Sequence, residues 1–319
     1  MGEGKPNPLP QLQLLTEVLD EALQLFDSKE PGAALPTPVD AIQSSLFEQC
    51  IELCRQGFEG GAEPIRTVHH LSCTGGTLIV KCLAAMPNVL VLNEIDPLST
   101  IQFNPEKPRF APTDIFSLLR QGDQNVSDGL LEQLFLQNLD LLRNELGMVG
   151  KRLLLRDHSH SHFLTGNEIA TRSSFLSLVK SRFPTRSIVT VRNPIDSFLS
   201  VQNHGWEHFN PKTFEEYCRR YHAFLDAYEG VPVFRYEDFV NEPSVVMAEM
   251  CRDLELNFSE SFVDTFDVFK FSGDSGRSGG TIQSRPRRKV GNDFIENANR
   301  SDVFVKLMSR LGYETTSGT

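Results

Sequence analysis

The stretch from Ile65 to Pro97 decides the fold of this chain. It reads IRTVHHLSCTGGTLIVKCLAAMPNVLVLNEIDP, which is typical of an apolar strand, a Thr/Gly-rich turn, a helix, a proline break and a second strand that ends in a carboxylate. The turn Ser72–Thr77 consists of small residues, so its backbone N–H groups can face an anion in front of the positive end of the helix. It lacks the GK[ST] ending of loops that hold a nucleotide triphosphate. The segment therefore predicts an anion site without the usual lysine.

After residue 64, short apolar strands alternate with amphipathic helices. This order predicts an α/β fold with a central parallel sheet flanked by helices, in which ligands bind at the carboxyl ends of the strands. The predicted strands are Arg66–Leu71, Val89–Leu92, Arg152–Arg156, Ser187–Val191 and Val231–Arg235. The predicted helices are Thr77–Met86, Ser127–Glu145, Ser173–Phe183, Pro194–Asn203, Phe214–Tyr228, Ser244–Leu254 and Arg300–Leu311.

The N-terminal sixty residues have a different pattern. Apolar residues recur there at helical spacing on both sides of the breaker-rich linker SKEPGAALPTP. We therefore divide the chain into a helical segment, residues 1–62, and an α/β domain, residues 63–319. The helical segment is interpreted as a cap over the core, because neither apolar stripe sustains the three or four heptads of a coiled coil. An oligomerisation arm, and with it a homo-oligomer, is the alternative.

Charge and composition exclude several classes of partner. The formal net charge of −11 opposes binding to nucleic acid or to an anionic membrane surface. No stretch approaches the ~20 apolar residues of a membrane span, and the N-terminus has no apolar run typical of a signal peptide. Six cysteines without paired ligand spacing indicate reduced thiols. These features predict a cytoplasmic protein.

A second motif, VRNPIDSFLS, covers residues 191–200. An apolar strand ends in Arg192, and Pro194 stands at the first helical position, where its missing N–H costs nothing. Ser200 follows about two helical turns later. An arginine fork and a serine hydroxyl in this arrangement can converge on one phosphate.

The stretch Ser272–Asn292 is polar, Gly-rich and basic within an acidic chain. It is interpreted as a loop that closes over an anionic ligand, with a solvated surface loop as the alternative. The basic residues that carry this interpretation are Arg277, Arg285, Arg287, Arg288 and Lys289.

These motifs, in this order, resemble those of sulfotransferases that use 3′-phosphoadenosine 5′-phosphosulfate (PAPS). Four segments carry the resemblance, which spans roughly residues 65–289: the Thr/Gly turn, the Arg-Asn-Pro-x-Asp motif with its serine, the segment FRYEDF and the basic C-terminal loop. The resemblance implies a P-loop NTPase-like sulfotransferase fold, PAPS as the donor, 3′-phosphoadenosine 5′-phosphate (PAP) as the product, and no metal.

The resemblance also implies roles for individual residues. The phosphosulfate would lie on the turn, the 3′-phosphate on Arg192 and Ser200, and the adenine beside Tyr236, under the basic loop. The implied cofactor-binding residues are Cys73, Thr74, Gly75, Gly76, Thr77, Arg192, Ser200, Tyr236, Arg277, Arg285 and Arg287.

Two residues compete for the role of general base. Glu94 ends the strand after the turn's helix, where protein-tyrosine and other membrane-type sulfotransferases have a glutamate base. His158 follows Arg156 and Asp157, a segment that resembles the Lys-Thr-His of cytosolic sulfotransferases. We favour Glu94 as base and His158 as the residue that positions the acceptor or the sulfuryl group, with the reverse assignment left open. Glu94 could instead cap a helix or form an ion pair, and His158, His160 and His162 could instead ligate a metal.

One residue departs from the family pattern. Cys73 stands where the family has a basic residue that stabilises the bridging oxygen. We therefore predict that Arg156, or Lys81 one turn into the helix, supplies that charge. Cys73 as a nucleophile is a lesser alternative, since helix N-termini lower the pKa of thiols.

The sequence therefore predicts an enzyme that transfers a sulfuryl group to a hydroxyl or amine of an acceptor, either a small molecule or a saccharide. Sulfuryl transfer moves a less charged group than phosphoryl transfer, so the missing lysine and Mg²⁺ site are expected. One alternative is a P-loop kinase-like phosphotransferase, with LLLRD at 153–157 as a loose Walker B strand. The other is a nucleotide-binding protein of the same fold that lacks turnover.

Overall fold

The computed structural model describes residues 63–101, 103–104, 106–107, 110–123, 125–273, 281–284 and 286–314. All of them belong to one compact unit, Gly61–Thr319. The N-terminal helices predicted from the sequence lie outside the described residues, so the division at residue 62 stays a prediction.

Seven strands and twelve α-helices form the described part of the chain. The strands are β1 (Ile65–His69), β2 (Val89–Ile95), β3 (Arg152–Asp157), β4 (Thr165–Gly166), β5 (Thr185–Val191), β6 (His208–Phe209) and β7 (Val233–Arg235). The helices are α1 (Gly76–Ala84), α2 (Ile115–Gly122), α3 (Asp128–Met148), α4 (His160–Phe163), α5 (Phe175–Lys180), α6 (Pro194–Asn203), α7 (Phe214–Ala227), α8 (Tyr236–Asn241), α9 (Pro243–Asp253), α10 (Phe262–Thr265), α11 (Asn292–Arg300) and α12 (Asp302–Leu311). None of these helices is long and apolar enough to cross a membrane.

Five strands form a parallel sheet in the order β2-β3-β1-β5-β7, and β4 and β6 form a separate pair. The predicted α/β fold with a central parallel sheet is confirmed. Neighbouring residues of a strand point to opposite sides of the sheet, and an apolar cluster covers each side. Leu153 and Leu155 of β3 pack in one apolar cluster with α3 and α5, whereas Leu154 between them packs in the cluster under α1 and α9.

The register of the strands places the ends of β1, β3, β5 and β7 side by side. Val68 pairs with Arg156, and Val191 pairs with Arg235. The residues that follow these pairs therefore meet at the carboxyl edge of the sheet. Two motifs separated in sequence by more than a hundred residues become neighbours in this way.

Candidate active site

The turn after β1 has two residues in the left-handed region. Cys73 has φ 65° and Gly75 has φ 89°. The Thr74 hydroxyl donates to the carbonyl of Leu71 at 2.7 Å and closes the turn from inside. Helix α1 then begins at Gly76, and within the described part of the chain no side chain caps it. Its first backbone N–H groups and the positive end of the helix are available to an anion.

Both glycines of the turn lie against a ring. A Cβ atom at Gly75 would come within 2.1 Å of the Tyr236 ring, and one at Gly76 within 2.3 Å of the His70 ring. Gly75 also needs its positive φ, which other residues adopt at a cost. The two glycines therefore allow Tyr236 and His70 to pack directly on the backbone of the turn.

Arg156 lies at the end of β3 and reaches the turn with a fully engaged guanidinium. Its Nη2 donates to the Thr77 hydroxyl at 2.8 Å, and its Nη1 donates to Asn93 Oδ1 at 2.8 Å. Its Nε donates to His70 Nε2 at 2.8 Å. The side chain is only 3% exposed. The cation predicted to compensate for Cys73 is therefore in contact with the turn, while the second candidate, Lys81, is buried in α1 and lines the same cavity.

Glu94 lies beside Arg156. Its Oε1 is 3.4 Å from Arg156 Nη2, and its Oε2 accepts a hydrogen bond from the Ser272 hydroxyl at 2.6 Å. Glu94 belongs to β2 and has φ 52°, where the register between β2 and β3 becomes irregular. Of the two structural alternatives for this residue, the structure has the ion pair and not the helix cap. Its role as base stays a prediction.

The turn at Ser272 and Gly273 lies over these groups. The Ser272 carbonyl accepts from Arg156 Nη1 at 3.2 Å, and the Gly273 carbonyl accepts from the Thr77 hydroxyl at 2.9 Å. Gly273 has φ 72°, and a Cβ atom there would come within 2.1 Å of Glu94 Oε1. The carbonyl oxygens of Ser272 and Gly273 therefore accept hydrogen bonds from Arg156 and Thr77, which are predicted to bind the phosphosulfate.

His158 stands one residue past β3, with its Nδ1 3.3 Å from the Ser99 hydroxyl. Burial lowers the pKa of His158, although the charges of Glu94 and Asp96 act in the opposite direction. The ring contacts that of His160 at 3.7 Å between centroids, and burial lowers the pKa of His160 to about 2. Neutral imidazoles can accept a proton, so His158 keeps the chemistry of a base.

The metal alternative finds no support in the placement of the third histidine. His162 Nε2 donates to the carbonyl oxygen of Ala170 at 2.9 Å, and the His162 ring stacks on Phe163. No group of three His, Cys, Asp or Glu side chains in the described ranges is placed to hold a metal ion.

The second motif lies on the other side of the turn. Asn193 Oδ1 accepts from the backbone N–H of Ile195 and so caps helix α6, which brings Ser200 into the interior. Arg192 Nη1 donates to the carbonyl of Cys73 at 3.2 Å, and its guanidinium lies 5.1 Å from the centre of the Tyr236 ring. Arg192, Ser200 and Tyr236 therefore meet at the turn, as the resemblance implies.

The Cys73 side chain faces this second cluster. Burial raises the pKa of the thiol, against a hydrogen bond from Ser200 and the charges of Arg192 and Arg288. The thiol is therefore protonated at neutral pH, which disfavours it as a nucleophile.

Part of the basic loop also contacts the second motif. Arg287 Nε pairs with Asp196 Oδ2 at 3.0 Å, and Arg288 Nη1 donates to the carbonyl of Leu199 at 3.1 Å. Arg277 and Arg285 lie outside the described residues.

A buried network that sequence reasoning missed supports the end of β3. Asp157 accepts hydrogen bonds from His69, Ser159 and Tyr228 at 2.7, 2.7 and 2.6 Å. Burial acts to raise the pKa of Asp157, but these hydrogen bonds outweigh it and the pKa lies below its ordinary value. The network fixes the backbone between Arg156 and His158.

A cavity of about 1120 Å³ opens on the side of the turn where Arg156 and Glu94 lie. Its lining contains the turn, the cation and both base candidates. It also contains side chains that the sequence analysis did not name, among them His70, Asn93, Phe116 and Gln121.

No protein-family model matches the chain, and no curated protein matches it. Solved structures similar to it include a sulfotransferase from Alicyclobacillus acidocaldarius, with 14% identity and a TM-score of 0.43 over 80% of this chain and 98% of that chain. For the sulfotransferase STF1 from Mycobacterium tuberculosis H37Rv, identity is 14%, the TM-score is 0.37, and 70% of this chain and 76% of that chain are covered. For mouse sulfotransferase SULT7A1 in complex with PAP, identity is 14% and the TM-score is 0.36, over 82% of this chain and 87% of that chain. All three of these similar structures are of sulfotransferases.

Proposed function

We propose that the chain is a sulfotransferase that moves a sulfuryl group from PAPS to a hydroxyl or amine of an acceptor. The observation that carries the proposal is the contact of Arg156 with both Thr77 and Glu94 in front of helix α1. A cation, the positive end of a helix and a carboxylate are together in one cavity. This set suits the transfer of a group between an anionic leaving group and a neutral nucleophile.

The residues present fit PAPS at both ends. A phosphosulfate is an anion, and the uncapped start of α1, Thr77 and Arg156 offer donors to it. Arg192 and Ser200, on the other side of the turn, are the residues that would hold the 3′-phosphate. When bound, PAPS supplies the sulfuryl group and a leaving group, PAP, that departs with the electron pair of the broken bond.

The side chains of this chain then have separate tasks. Glu94 takes the proton from the acceptor as the acceptor oxygen or nitrogen bonds to sulfur. Arg156 and the first N–H groups of α1 stabilise the negative charge that grows on the phosphate. His158, neutral and at the same edge of the sheet, orients the acceptor. Asp157 holds the strand end that carries Arg156 and His158.

The cavity supports a polar acceptor of small or moderate size. Its volume of about 1120 Å³ leaves room for an acceptor beside the phosphosulfate end of PAPS, and its walls carry both amide and aromatic side chains. A small molecule and a saccharide both fit this description.

Ligand-dependent stability tests the proposal first. PAP is expected to raise the unfolding temperature, and ATP with Mg²⁺ is not, because a ligand stabilises only the fold that binds it. The reverse result would contradict the proposal in favour of a phosphotransferase. Transfer from ³⁵S-PAPS to a panel of phenols, amines and saccharides then measures turnover. PAP binding without any transfer would indicate a nucleotide-binding protein of the same fold that lacks turnover.

A further inference from the structure

His70 follows β1 directly and belongs to none of the motifs that carry the proposed function. Its ring is buried and lies between the turn and Arg156. The Nδ1 atom is 2.9 Å from the carbonyl of Leu71, and the Nε2 atom is 2.8 Å from Arg156 Nε. A carbonyl only accepts and a guanidinium only donates, so these partners assign the proton to Nδ1 and leave the lone pair of Nε2 to Arg156.

The charge state of His70 agrees with these contacts. Burial lowers the pKa of His70 to about 3, and the charge of Arg156 acts in the same direction. The imidazole is therefore neutral at every pH at which the protein is expected to work. A neutral ring can accept from Arg156, whereas an imidazolium would repel it.

Gly76 provides the space for this ring. A Cβ atom at position 76 would come within 2.4 Å of three atoms of the His70 ring. The backbone of Gly76 is helical and needs no special φ, so a larger residue would be acceptable there but for His70. The glycine at the first position of α1 and the histidine after β1 are therefore complementary in shape.

Together these contacts leave Arg156 one orientation. His70 holds Nε, Asn93 holds Nη1, and Nη2 is directed at Thr77 of the turn. All three residues line the cavity, but Asn93 and Thr77 are partly exposed, whereas His70 is buried.

We propose that His70 is a positioning residue that holds Arg156 against the turn, with Gly76 as its steric complement, so that β3 delivers the positive charge that the turn lacks at Cys73. This inference rests on the proposed function and deepens it. It assigns to His70 no contact with the donor or the acceptor.

A matched pair of substitutions tests the role of Nε2. The amide of Gln reaches as far as Nε2 and can accept from Arg156, whereas the amide of Asn reaches only as far as Nδ1 and keeps the bond to Leu71. His70→Asn is expected to lower kcat by about 100-fold, because displacing a catalytic group by about 1 Å lowers the rate by about that factor. His70→Gln is expected to recover most of kcat. The KM for PAPS and the affinity for PAP are expected to change less than kcat in either variant, because the groups on the 3′-phosphate side are untouched.

A nuclear magnetic resonance measurement reads the contact without turnover. The Nε–H proton of Arg156 is expected to resonate far downfield of other arginines in the wild type and in His70→Gln, and to shift upfield in His70→Asn. The same shift in both variants, or in neither, would overturn the proposal without any measurement of turnover.

A double-substitution experiment tests the steric part. Gly76→Ala is expected to lower kcat in the wild-type background and to have a much smaller effect in a His70→Ala background, where the ring is gone. Effects that simply multiply would overturn the complementarity. If the wild type itself binds no PAP and transfers no sulfate, the proposed function fails and this inference with it. If the wild type is active and His70→Asn equals His70→Gln, this inference alone fails.

Discussion

Replacing Arg192 with Ala isolates the predicted 3′-phosphate site. Arg192 follows β5 directly, and its side chain donates to the carbonyl of Cys73 at 3.2 Å and lies over the Tyr236 ring at 5.1 Å. It is half-buried, and the backbone N–H and C=O of Arg192 are held by the Tyr221 hydroxyl independently of the guanidinium. The substitution therefore removes a forked donor and leaves the strand end in place.

The expected loss follows from the contacts. A hydrogen bond to a charged group contributes about 1.5–3 kcal/mol, and about 1.4 kcal/mol corresponds to a factor of ten in affinity, so the Kd for PAP is expected to rise roughly 10- to 150-fold. The fold loses one hydrogen bond from the charged guanidinium to the Cys73 carbonyl, at most about 1.5–3 kcal/mol, which is a fraction of the about 5–15 kcal/mol of a typical domain. The variant is therefore expected to stay folded while its affinity for PAP falls.

Titration calorimetry with PAP at constant ionic strength measures the effect. Arg186→Ala is the matched control, because Arg186 lies near the start of the same strand, pairs with Glu255 at 2.6 Å and is 51% exposed. Adenosine 5′-phosphate, which has no 3′-phosphate, is expected to bind wild type and Arg192→Ala equally. Unchanged PAP affinity in Arg192→Ala, or an equal loss for both nucleotides, would refute the 3′-phosphate assignment.

Further predictions concern the transfer centre and pH. Arg156→Ala is expected to lower kcat for transfer from ³⁵S-PAPS by about 10²–10³-fold, with Arg152→Ala at the exposed start of β3 as the unaffected control; equal rates would contradict the assigned cation. Glu94→Gln is expected to lower kcat by about 10²–10⁴-fold and more than His158→Asn does; the opposite order makes His158 the base. The free energy of unfolding is expected to fall by about 2 kcal/mol between pH 6.5 and 5 for His70, because its pKa of about 3 keeps it neutral in the fold while the unfolded chain takes up the proton. Denaturant titrations of wild type and His70→Gln measure this loss, and identical pH dependence in both would exclude a buried neutral imidazole.

Most of the sheet was predictable because its strands are apolar runs between turn residues. Helix α6 begins and ends where the sequence predicts, since Pro194 and Asn203 mark it clearly. Helix α2 was not predicted; none of its residues is fully buried, although Phe116 packs against the core. The strand predicted to end at Glu94 runs to Ile95, but the φ of 52° at Glu94 was not predicted, because this conformation in a non-glycine residue follows from tertiary contacts and not from local preference.

The candidate site divides in the same manner. Residues within a motif, such as Arg192 and Ser200, could be grouped from their spacing on one strand and one helix. The contact of Arg156 with Thr77 depends on β3 lying next to β1, which no local pattern specifies. His70 was missed because its role depends on that same order and on the space beside Gly76.

A ligand that binds at this end of the cavity has to replace hydrogen bonds that the turn at Ser272 and Gly273 already accepts. The two carbonyl oxygens of this turn already satisfy Arg156 and the Thr77 hydroxyl. A neutral ligand oxygen that replaces one of them exchanges like for like and gains almost nothing. A phosphate or sulfate oxygen gains at the Thr77 hydroxyl, since a hydrogen bond to a charged group is about twice as strong as a neutral one, and at Arg156 it gains an ion pair. The chain's own backbone therefore makes the site selective for charge, by competing with every ligand that has none.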